Sequence, residues 1–186
     1  GTYDTSWYDA TKDTFEITNA KQLAGLAALV DGTTSDPVNF EGKTIVITSD
    51  IEVDKALSNI LPIGNKTNKF KGTFNGQKHT ITLSIDNSTL DYAGLFGYID
   101  GANIHDVTVA GSVSAKKYKA GIVGQADNST IENCTNKATI IGEDATSAGI
   151  AASSKNCTLN NCVNEGDVTG KKTSTAGITG TASTSS

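Results

Sequence analysis

The side chains that could carry acid–base chemistry are aspartates and histidines scattered along the chain. Hydrolysis of a glycosidic bond requires two carboxyl groups about 5 to 9.5 Å apart, and a lyase requires a strong base or a cation that stabilises an enolate. None of the aspartates pairs with another at an equivalent position, and the histidines lie in unrelated contexts; these residues are Asp50, Asp86, Asp91, Asp100, Asp106, His79 and His105. We therefore predict no catalytic residues and no enzymatic activity, with a polysaccharide lyase or hydrolase as the alternative.

A second group of side chains, aromatic and cationic, is suited to binding a ligand without reacting with it. Tyr92 follows Asp91, and Tyr118 and Lys119 follow two further lysines, each just before an Ala-Gly pair. We expect these segments to be loops of neighbouring repeats, in which the two rings would form a patch that can stack on a sugar. Tyr92, Tyr118 and Lys119 are the candidate ligand-binding residues, and ordinary surface tyrosines are the alternative.

The three cysteines do not form a recognisable disulfide framework or zinc site. Cys134 and Cys162 occupy one column of a repeat whose third member is Val107, so we predict two buried free thiols that act as small apolar side chains. A disulfide or a metal role is the alternative, but no CxxC pair or nearby histidine supports zinc. The sequence thus predicts no metal and no cofactor.

These residues lie on a regular sequence repeat. Ala-Gly followed by an aliphatic residue recurs at Ala93, Ala120, Ala148 and Ala176, with spacings of 27, 28 and 28. Further columns keep the same step: Ile104, Ile131 and Leu159; Val107, Cys134 and Cys162; Val113, Ile140 and Val168; and Gly111, Ala138 and Gly166. Such a repeat is too long for one strand and is broken into short pieces by turn-forming residues, so the path must turn several times in each repeat.

Stacking one repeat on the next pairs equivalent strands in parallel about 4.8 Å apart and fills the interior with the apolar columns. We therefore predict an all-β fold, a single-stranded right-handed parallel β-helix with coils of about 27 to about 28 residues. Structural glycines are expected at corners and close approaches, at Gly94, Gly97, Gly121, Gly124, Gly149 and Gly177. Asparagine pairs one repeat apart favour stacked corner amides over ligand binding; they are Asn128 with Asn156, Asn133 with Asn161, and Asn136 with Asn164.

Residues 1–42 are predicted to form an N-terminal strand and a capping helix, and residues 43–186 one continuous domain of β-helix coils. Leu23, Leu26 and Val30 follow a helical spacing, with Thr18 as the expected N-cap and Gly32 as the terminator. A membrane anchor is the alternative for this helix, but its polar face carries one lysine. The step from Ile45 to Ile81 is longer than the later steps and predicts a first coil with an extra loop around 53–69.

The charge pattern argues against two classes of partner. The formal net charge is -5 and all 15 basic residues are lysines, so nucleic acid and anionic membranes are not expected partners. No apolar run reaches the length of a membrane span, so this segment is not expected to insert. The last repeat looks unfinished, which predicts that the chain is part of a longer protein.

The motifs resemble the secreted bacterial β-helix domains that carry the GLUG motif, found in adhesin-like surface proteins. The resemblance covers about Phe15 to Gly180 and includes Leu61-Pro-Ile-Gly, Phe70-Lys-Gly-Thr-Phe-Asn-Gly and the motif itself, Gly94-Leu95-Phe96-Gly97. Gly121-Ile-Val-Gly and Gly177-Ile-Thr-Gly repeat it with aliphatic replacements, whereas Gly149-Ile-Ala-Ala lacks the second glycine. The resemblance implies the fold and a secreted or cell-surface location, and it brings no catalytic residues.

The function predicted from the sequence is a non-catalytic extracellular module of a bacterial adhesin-like protein. It would act in cell adhesion, in binding a glycan or a matrix protein, or as a spacer. Binding to ice or a crystal surface would need a flat threonine ladder. Thr80 and Thr82 form one such pair, but we expect Asn103 and His105 at the equivalent positions of the next repeat, which would end the ladder.

Overall fold

The computed structural model describes residues 2–142, 146–169, 174–176 and 179–183. Its two helices are α1 (Ala20–Asp31) and α2 (Lys55–Ser58). The strands are β1 (Thr14–Ile17), β2 (Thr44–Ile47), β3 (Ile51–Glu52), β4 (Thr73–Asn87), β5 (Tyr92–Ala93), β6 (Phe96–Asp100), β7 (Asn103–Ala115), β8 (Tyr118–Lys119), β9 (Val123–Asp127), β10 (Thr130–Glu132), β11 (Thr135–Asn136), β12 (Thr139–Ile141), β13 (Thr146–Ala148), β14 (Ala151–Lys155), β15 (Thr158–Asn160), β16 (Val163–Asn164), β17 (Ser174–Ala176) and β18 (Thr179–Ser183).

The strands form three sheets in which every described pairing is parallel. The first, sheet A, runs β1-β2-β4-β7-β10-β15 and also holds β3, β11, β12 and β16. Sheet B runs β6-β9-β14-β18, and sheet C runs β5-β8-β13-β17. From β5 onward each repeat contributes to all three sheets in turn, so equivalent strands of successive repeats lie side by side. The prediction of a mainly β fold built from parallel strands is therefore confirmed.

The apolar columns of the repeat coincide with the strand registers. Ile131 pairs with Ile104 on one side and with Leu159 on the other. Ile140 pairs in the same way with Val113 and Val168. Leu95, Ile122 and Ile150 are fully buried in one core, whereas Ile178, the next member of that column, lies outside the described residues. These registers confirm the two predicted columns of sheet A, whereas Ala93 of the predicted Ala-Gly column pairs with Lys119 and not with Ala120.

The repeat begins earlier than predicted. Phe15 pairs with Ile45, Ile45 with Phe74, and Phe74 with Ile104, so the repeat already runs through β1, β2 and β4. The predicted long step from Ile45 to Ile81 was wrong because Ile81 pairs with Ile51 and not with Ile45. Part of the predicted extra loop is helix α2. The core is continuous across residue 42, since α1 and β1 share one cluster of buried residues with the later repeats.

Helix α1 packs its apolar face into this core. Every residue from Leu23 to Val30 is buried, and Gly32 ends the helix in the left-handed region with φ 80°. The N-cap is Asn19, whose side chain accepts a hydrogen bond from the Gln22 amide, and not Thr18 as predicted. Thr18 instead donates its own amide to the Gln22 side chain. In the part of the chain that the structure describes, no helix has the length and hydropathy needed to cross a membrane.

Aromatic rings fill the first repeats of the core. Phe15, Phe40, Phe70 and Phe96 follow one another with centroid separations of 6.0, 6.2 and 5.1 Å. Trp7 packs on Phe15 and Phe40 at 5.5 and 6.1 Å and so extends the stack at its N-terminal side. Aromatic pairs of this kind add about 0.5 to 1.5 kcal/mol beyond their area burial. The aromatic stack of Phe15, Phe40, Phe70 and Phe96 therefore connects β1 with the later repeats.

Two of the three asparagine pairs form the amide contact predicted for them. Asn156 donates to the Asn128 carboxamide oxygen at 2.8 Å, and Asn136 donates to that of Asn164 at 2.9 Å. The left-handed backbone region is occupied at four of the six positions, with φ between 51° and 55°: Asn128, Asn133, Asn156 and Asn161. Asparagine tolerates this region better than other non-glycine residues, which explains its recurrence there.

Asn136 is the member of this set whose loss should cost the most stability. Its fully buried amide also donates to the Ala138 carbonyl and accepts from the Ala138 amide, both at 3.0 Å. We expect Asn136→Ala to lower the free energy of unfolding by about 2 to 3 kcal/mol, because the Ala138 groups would lose their buried partner. Denaturant unfolding followed by circular dichroism measures this.

The matched control is Asn128→Gly. Asn128 makes a comparable amide contact, but on the exposed surface, and glycine keeps its left-handed backbone accessible. A loss of under about 1 kcal/mol is expected for this variant, since solvent replaces the contact. If both variants lost the same free energy of unfolding, burial of the Asn136 amide would not be the reason for its contribution to stability.

All three cysteines are free, which agrees with the prediction made for Cys134 and Cys162. Cys134 is fully buried, and burial raises the pKa of its thiol to about 12. Cys162 is only half-buried, so the prediction of two fully buried thiols is wrong for this residue. Cys134 has a neighbouring repeat of sheet A on each side, whereas Cys162 lies in the last described repeat of that sheet.

The registers of sheet A also correct the predicted threonine alignment. Thr80 pairs with Thr108, and Asn103 pairs with Thr73 and not with Thr80. The outward-facing column therefore contains Thr14, Thr44, Thr73, Asn103, Thr130 and Thr158. The neighbouring column contains Glu16, Val46, Asn75, His105, Glu132 and Asn160, so the two-column ladder that a crystal surface requires is not formed.

Candidate functional site

Three tyrosines from two neighbouring repeats form one cluster where sheets B and C meet. Tyr92 and Tyr118 are register partners in sheet C, and their rings stack with centroids 5.3 Å apart at an angle of 10°. Tyr98, in sheet B, packs its ring against Tyr92 at 5.2 Å and 62°. The structure thus brings the two predicted tyrosines together and adds a third. We call Tyr92, Tyr98 and Tyr118 the tyrosine cluster.

Tyr98 was not predicted from the sequence. It stands at an outward-facing position of β6, directly before the buried Ile99, and the alternation of Tyr98, Ile99 and Asp100 is the signal that could have identified it. Its hydroxyl donates to one carboxylate oxygen of Asp127 at 2.9 Å, and Gln125 donates to the other at 2.8 Å. The Lys69 ammonium lies 4.6 Å from the centre of the Tyr98 ring. These contacts fix the ring orientation.

The hydroxyls of Tyr92 and Tyr98 stay protonated. Burial and the hydrogen bond to Asp127 raise the pKa of Tyr98 well above its usual value, and burial together with Tyr118 raises the pKa of Tyr92. Neither phenol is therefore prepared to act as a base or a nucleophile near neutral pH. Half-buried aromatic rings with protonated hydroxyls are suited to stacking and hydrogen bonding with a polar ligand.

Two of the predicted structural glycines allow the backbone under the cluster to pack closely. A Cβ at Gly97 would overlap the Gly64 carbonyl oxygen and lie 3.2 Å from the Tyr92 carbonyl oxygen. A Cβ at Gly124 would lie 2.8 Å from the Ala93 amide and 3.0 Å from the Tyr118 carbonyl oxygen. Because any side chain would push the strands apart, these glycines set the distance between sheets B and C.

The other predicted glycines also lie at close approaches. A Cβ at Gly94 would lie 2.8 Å from the Ala120 carbonyl oxygen, and one at Gly121 would overlap the Asn136 side chain. Gly149 accepts a hydrogen bond from the Gly121 amide at 2.9 Å. Gly177 lies outside the described residues.

Lys119 does not belong to the accessible site, and its predicted role in ligand binding is not compatible with its position. The residue is fully buried, and its ammonium donates to the Lys117 carbonyl oxygen at 2.8 Å. Its side chain occupies the space where Gly142 would otherwise carry a Cβ. The segments Tyr92–Ala93 and Tyr118–Lys119 are short strands and not loops, so alternate residues face inward. Strand alternation explains why Tyr118 faces outward and Lys119 inward.

Two carboxylates do occupy equivalent positions, contrary to the expectation from the sequence. Asp100 and Asp127 are register partners on β6 and β9. Both oxygens of each carboxylate are already engaged: Asp127 accepts from Tyr98 and Gln125, and Asp100 accepts from Asn128 at 3.1 Å and pairs with Lys71 at 3.8 Å. Their contacts indicate a structural network along the surface of sheet B.

A cleft of about 650 Å³ opens beside Tyr92. One wall is the loop of residues 59–68 from the preceding repeat, and the other is the segment Thr89–Tyr92. Half-buried apolar side chains, Ile60, Pro62 and Leu90, lie between amide, hydroxyl and charged groups. The cleft volume is within the range of about 300 to 1,000 Å³ typical of small-ligand sites. Among residues 2–142 and 146–169, no group of three or more His, Cys, Asp or Glu side chains could hold a metal ion.

The chain is similar to part of halomucin from Haloquadratum walsbyi, with 31% identity over 132 residues. The matched stretch covers 64% of this chain but 1% of halomucin, so the chain spans only a very small part of that relative. No family model matches the chain, and no solved structure matches it. The resemblance to GLUG-motif domains is therefore supported by the sequence motifs alone, such as Gly94-Leu95-Phe96-Gly97.

Proposed function

We propose that this chain is a non-catalytic segment of a large secreted or cell-surface protein of adhesin-like type, and that it binds a glycan through the tyrosine cluster. The fold proposed for it is a right-handed parallel β-helix of the GLUG-motif type. Parallel strands joined by crossovers are right-handed in about 98% of cases, which supports this winding. The Gly94–Gly97 and Gly121–Gly124 segments occupy equivalent positions in neighbouring repeats, which supports the motif.

The similarity to halomucin supports a segment of a large protein. The matched stretch is 1% of halomucin, so this sequence pattern occurs within a much longer chain. Secretion or surface display remains part of the proposal. The bacterial origin that the GLUG resemblance implies is a prediction that the halomucin match does not address.

The observation that carries the binding proposal is the geometry of the tyrosine cluster. Three half-buried rings from separate strands converge with centroid separations of 5.2 and 5.3 Å, and the hydrogen bonds that Asp127 accepts hold Tyr98 in place. Scattered surface tyrosines would not share one site. Rings of this kind bury apolar area at low conformational cost.

A glycan and matrix-protein binding screen tests this proposal. We expect wild-type protein to bind a glycan, and Tyr92→Ala and Tyr98→Ala each to weaken binding at least about tenfold through loss of one stacking contact of about 1.4 kcal/mol. Tyr118→Ala should weaken binding as well, because it removes the ring that supports Tyr92.

Two control variants distinguish the contribution of the aromatic ring from that of the hydroxyl, and from the effect of removing any tyrosine. Tyr98→Phe keeps the ring and should keep most of the affinity. Tyr3→Ala removes a tyrosine that packs against the core near the start of the chain, and should leave binding unchanged. Binding that survives all three cluster substitutions, in variants with unchanged circular dichroism, would refute the proposal.

A polysaccharide hydrolase or lyase is the second candidate, favoured by the Asp100 and Asp127 pair. Adjacent parallel strands lie about 4.8 Å apart, which is compatible with a carboxylate pair for glycoside hydrolysis. The engaged oxygens of both residues argue against it. Turnover of polysaccharide by the wild type that is lost in both Asp100→Asn and Asp127→Asn would establish this alternative in place of the first.

A further inference from the structure

We propose that the cleft beside Tyr92 binds a neutral oligosaccharide, whose terminal pyranose ring stacks on Tyr92 inside the cleft. This inference rests on the proposed glycan binding and specifies the ligand class and the location. It would make the cleft residues, and not only the exposed tyrosines, determinants of specificity.

The position of Tyr92 decides which of its ring faces can accept a sugar. Tyr118, from the following repeat, stacks on one face at 5.3 Å, and Tyr98 packs at an angle of 62°. Tyr92 lines the cleft together with residues 59–68 of the preceding repeat, whereas Tyr118 belongs to the following repeat and is not part of the lining. We therefore infer that a sugar in the cleft would contact the face of Tyr92 that Tyr118 leaves uncovered. Tyr118 supports the ring, and the sugar would contact its other face.

The loop of residues 59–68 is held in place before any ligand arrives. Asn65 donates to Asp31 at the end of α1, and its carboxamide oxygen accepts from the amides of Thr67 and Asn68 at 2.9 and 2.8 Å. Asn68 donates to the Asp31 carbonyl oxygen at 3.1 Å. A wall held by four hydrogen bonds does not need to be ordered on binding, which reduces the entropic cost.

The opposite wall is held in a similar way. The Asn87 carboxamide oxygen accepts from both the amide and the hydroxyl of Thr89, at 2.9 and 2.6 Å. The Asp91 carbonyl oxygen accepts from the Tyr118 amide at 2.8 Å, which fixes the segment that carries Tyr92. Both walls are thus preorganised around an opening of about 650 Å³.

The chemistry of the lining fits a neutral sugar. A pyranose ring has an apolar face formed by its C–H groups and hydroxyls around its edge, and the cleft offers Tyr92, Ile60, Pro62 and Leu90 to the face. For the hydroxyls it offers amide and hydroxyl groups, from Asn59, Thr67 and Thr89. The lining thus combines apolar and polar side chains in similar measure, which suits a ligand that has an apolar face and hydroxyls around its edge.

The charges of the cleft disfavour an acidic glycan. Its charged side chains are Asp31, Asp91 and Lys66, a formal balance of -1. The whole chain carries -5 and no arginine, the residue best suited to bind a carboxylate or sulfate in two-point fashion. A uronate or sulfated sugar would be repelled both by the net charge of the cleft and by the net charge of the whole chain. A neutral sugar would not.

Titration calorimetry with defined tetrasaccharides tests this inference. The neutral probes are the β-1,4-linked tetramers of glucose, N-acetylglucosamine, mannose and xylose, and the acidic probe is tetragalacturonate. We expect at least one neutral probe to bind the intact chain, and tetragalacturonate to bind at least tenfold more weakly.

Two tryptophan variants locate the site. Thr67→Trp places a large side chain in the cleft from its exposed rim without touching the tyrosine cluster, and should weaken binding of the neutral probe at least tenfold. Asn160→Trp, on the exposed surface of sheet A, is the matched control and should leave affinity unchanged. Circular dichroism verifies that both variants are folded.

The outcomes separate this inference from the proposed function. Glycan binding that needs Tyr92 but is unaffected by Thr67→Trp would overturn the cleft assignment and leave binding by the tyrosine cluster standing. If tetragalacturonate bound more tightly than the neutral probes, the assignment of a neutral sugar as the ligand would be wrong, but the location of the site would not be affected. If neither the neutral nor the acidic probes bound, the proposed glycan binding would fail together with the inference.

Discussion

Replacing Phe70 by alanine is expected to lower the free energy of unfolding by about 4 kcal/mol. Phe70 is fully buried, and its ring contacts Phe40 at 6.2 Å and Phe96 at 5.1 Å. Truncation would remove a central member of the aromatic stack and leave a cavity between repeats that the parallel strands cannot close. The transfer free energy of the ring and the cavity both contribute to the loss.

Equilibrium unfolding in urea measures this effect, with Phe70→Leu as the matched control. Leucine refills part of the cavity with apolar atoms, so a smaller loss, of about 1 to 2 kcal/mol, is expected. If alanine and leucine cost the same amount, or if alanine cost under about 1 kcal/mol, Phe70 would not hold the repeats together as its contacts indicate.

The second large effect is expected at Gly97. Its Cα faces the preceding repeat so closely that a single added methyl group would overlap the Gly64 carbonyl oxygen and lie 2.9 Å from the Pro62 side chain. Gly97→Ala should therefore destabilise the protein by about 3 kcal/mol, since backbone atoms must move to admit the methyl group. The melting temperature and the unfolding midpoint in urea would both fall.

Gly101→Ala provides the contrasting variant. Gly101 has φ 67°, but beyond its two chain neighbours no residue has an atom within 4 Å of the place its Cβ would take. Alanine there bears only the cost of the left-handed backbone, about 1 kcal/mol. If Gly101→Ala proved more damaging than Gly97→Ala, conformational freedom and not space would be the reason for glycine in these segments.

The strand registers were predicted correctly where apolar residues recur at a nearly constant spacing. The registers of Ile104, Ile131 and Leu159 agree with the prediction because a nearly constant step keeps each of these side chains directly beside its equivalent. The earlier repeats were misaligned because their steps are longer and some of their core positions hold phenylalanine in place of isoleucine. Because position 74 holds phenylalanine where the later repeats hold an aliphatic residue, the sequence did not show that Phe74 is equivalent to Ile45.

The candidate site was predicted in part. Tyr92 and Tyr118 were found because they precede repeated Ala-Gly pairs, and the register places them together. Tyr98 was missed since it belongs to a different sheet, and sequence spacing alone does not show how two sheets meet. Lys119 was misassigned because the orientation of a two-residue strand cannot be derived from composition. Its burial depends on the missing side chain of Gly142, a residue distant in sequence.

The position of the aromatic stack determines what fluorescence can detect in this molecule. The single tryptophan, Trp7, packs against Phe15 and Phe40 at the N-terminal end of the stack, whereas the last strands of sheet B lie near the other end of the chain. In arrays of repeats each unit contacts its neighbours alone, and unfolding can begin at one end. Emission of Trp7 would then report on the N-terminal repeats and would remain native while the C-terminal strands separate. A midpoint from circular dichroism below the midpoint from fluorescence would be the signature of such stepwise loss of the array.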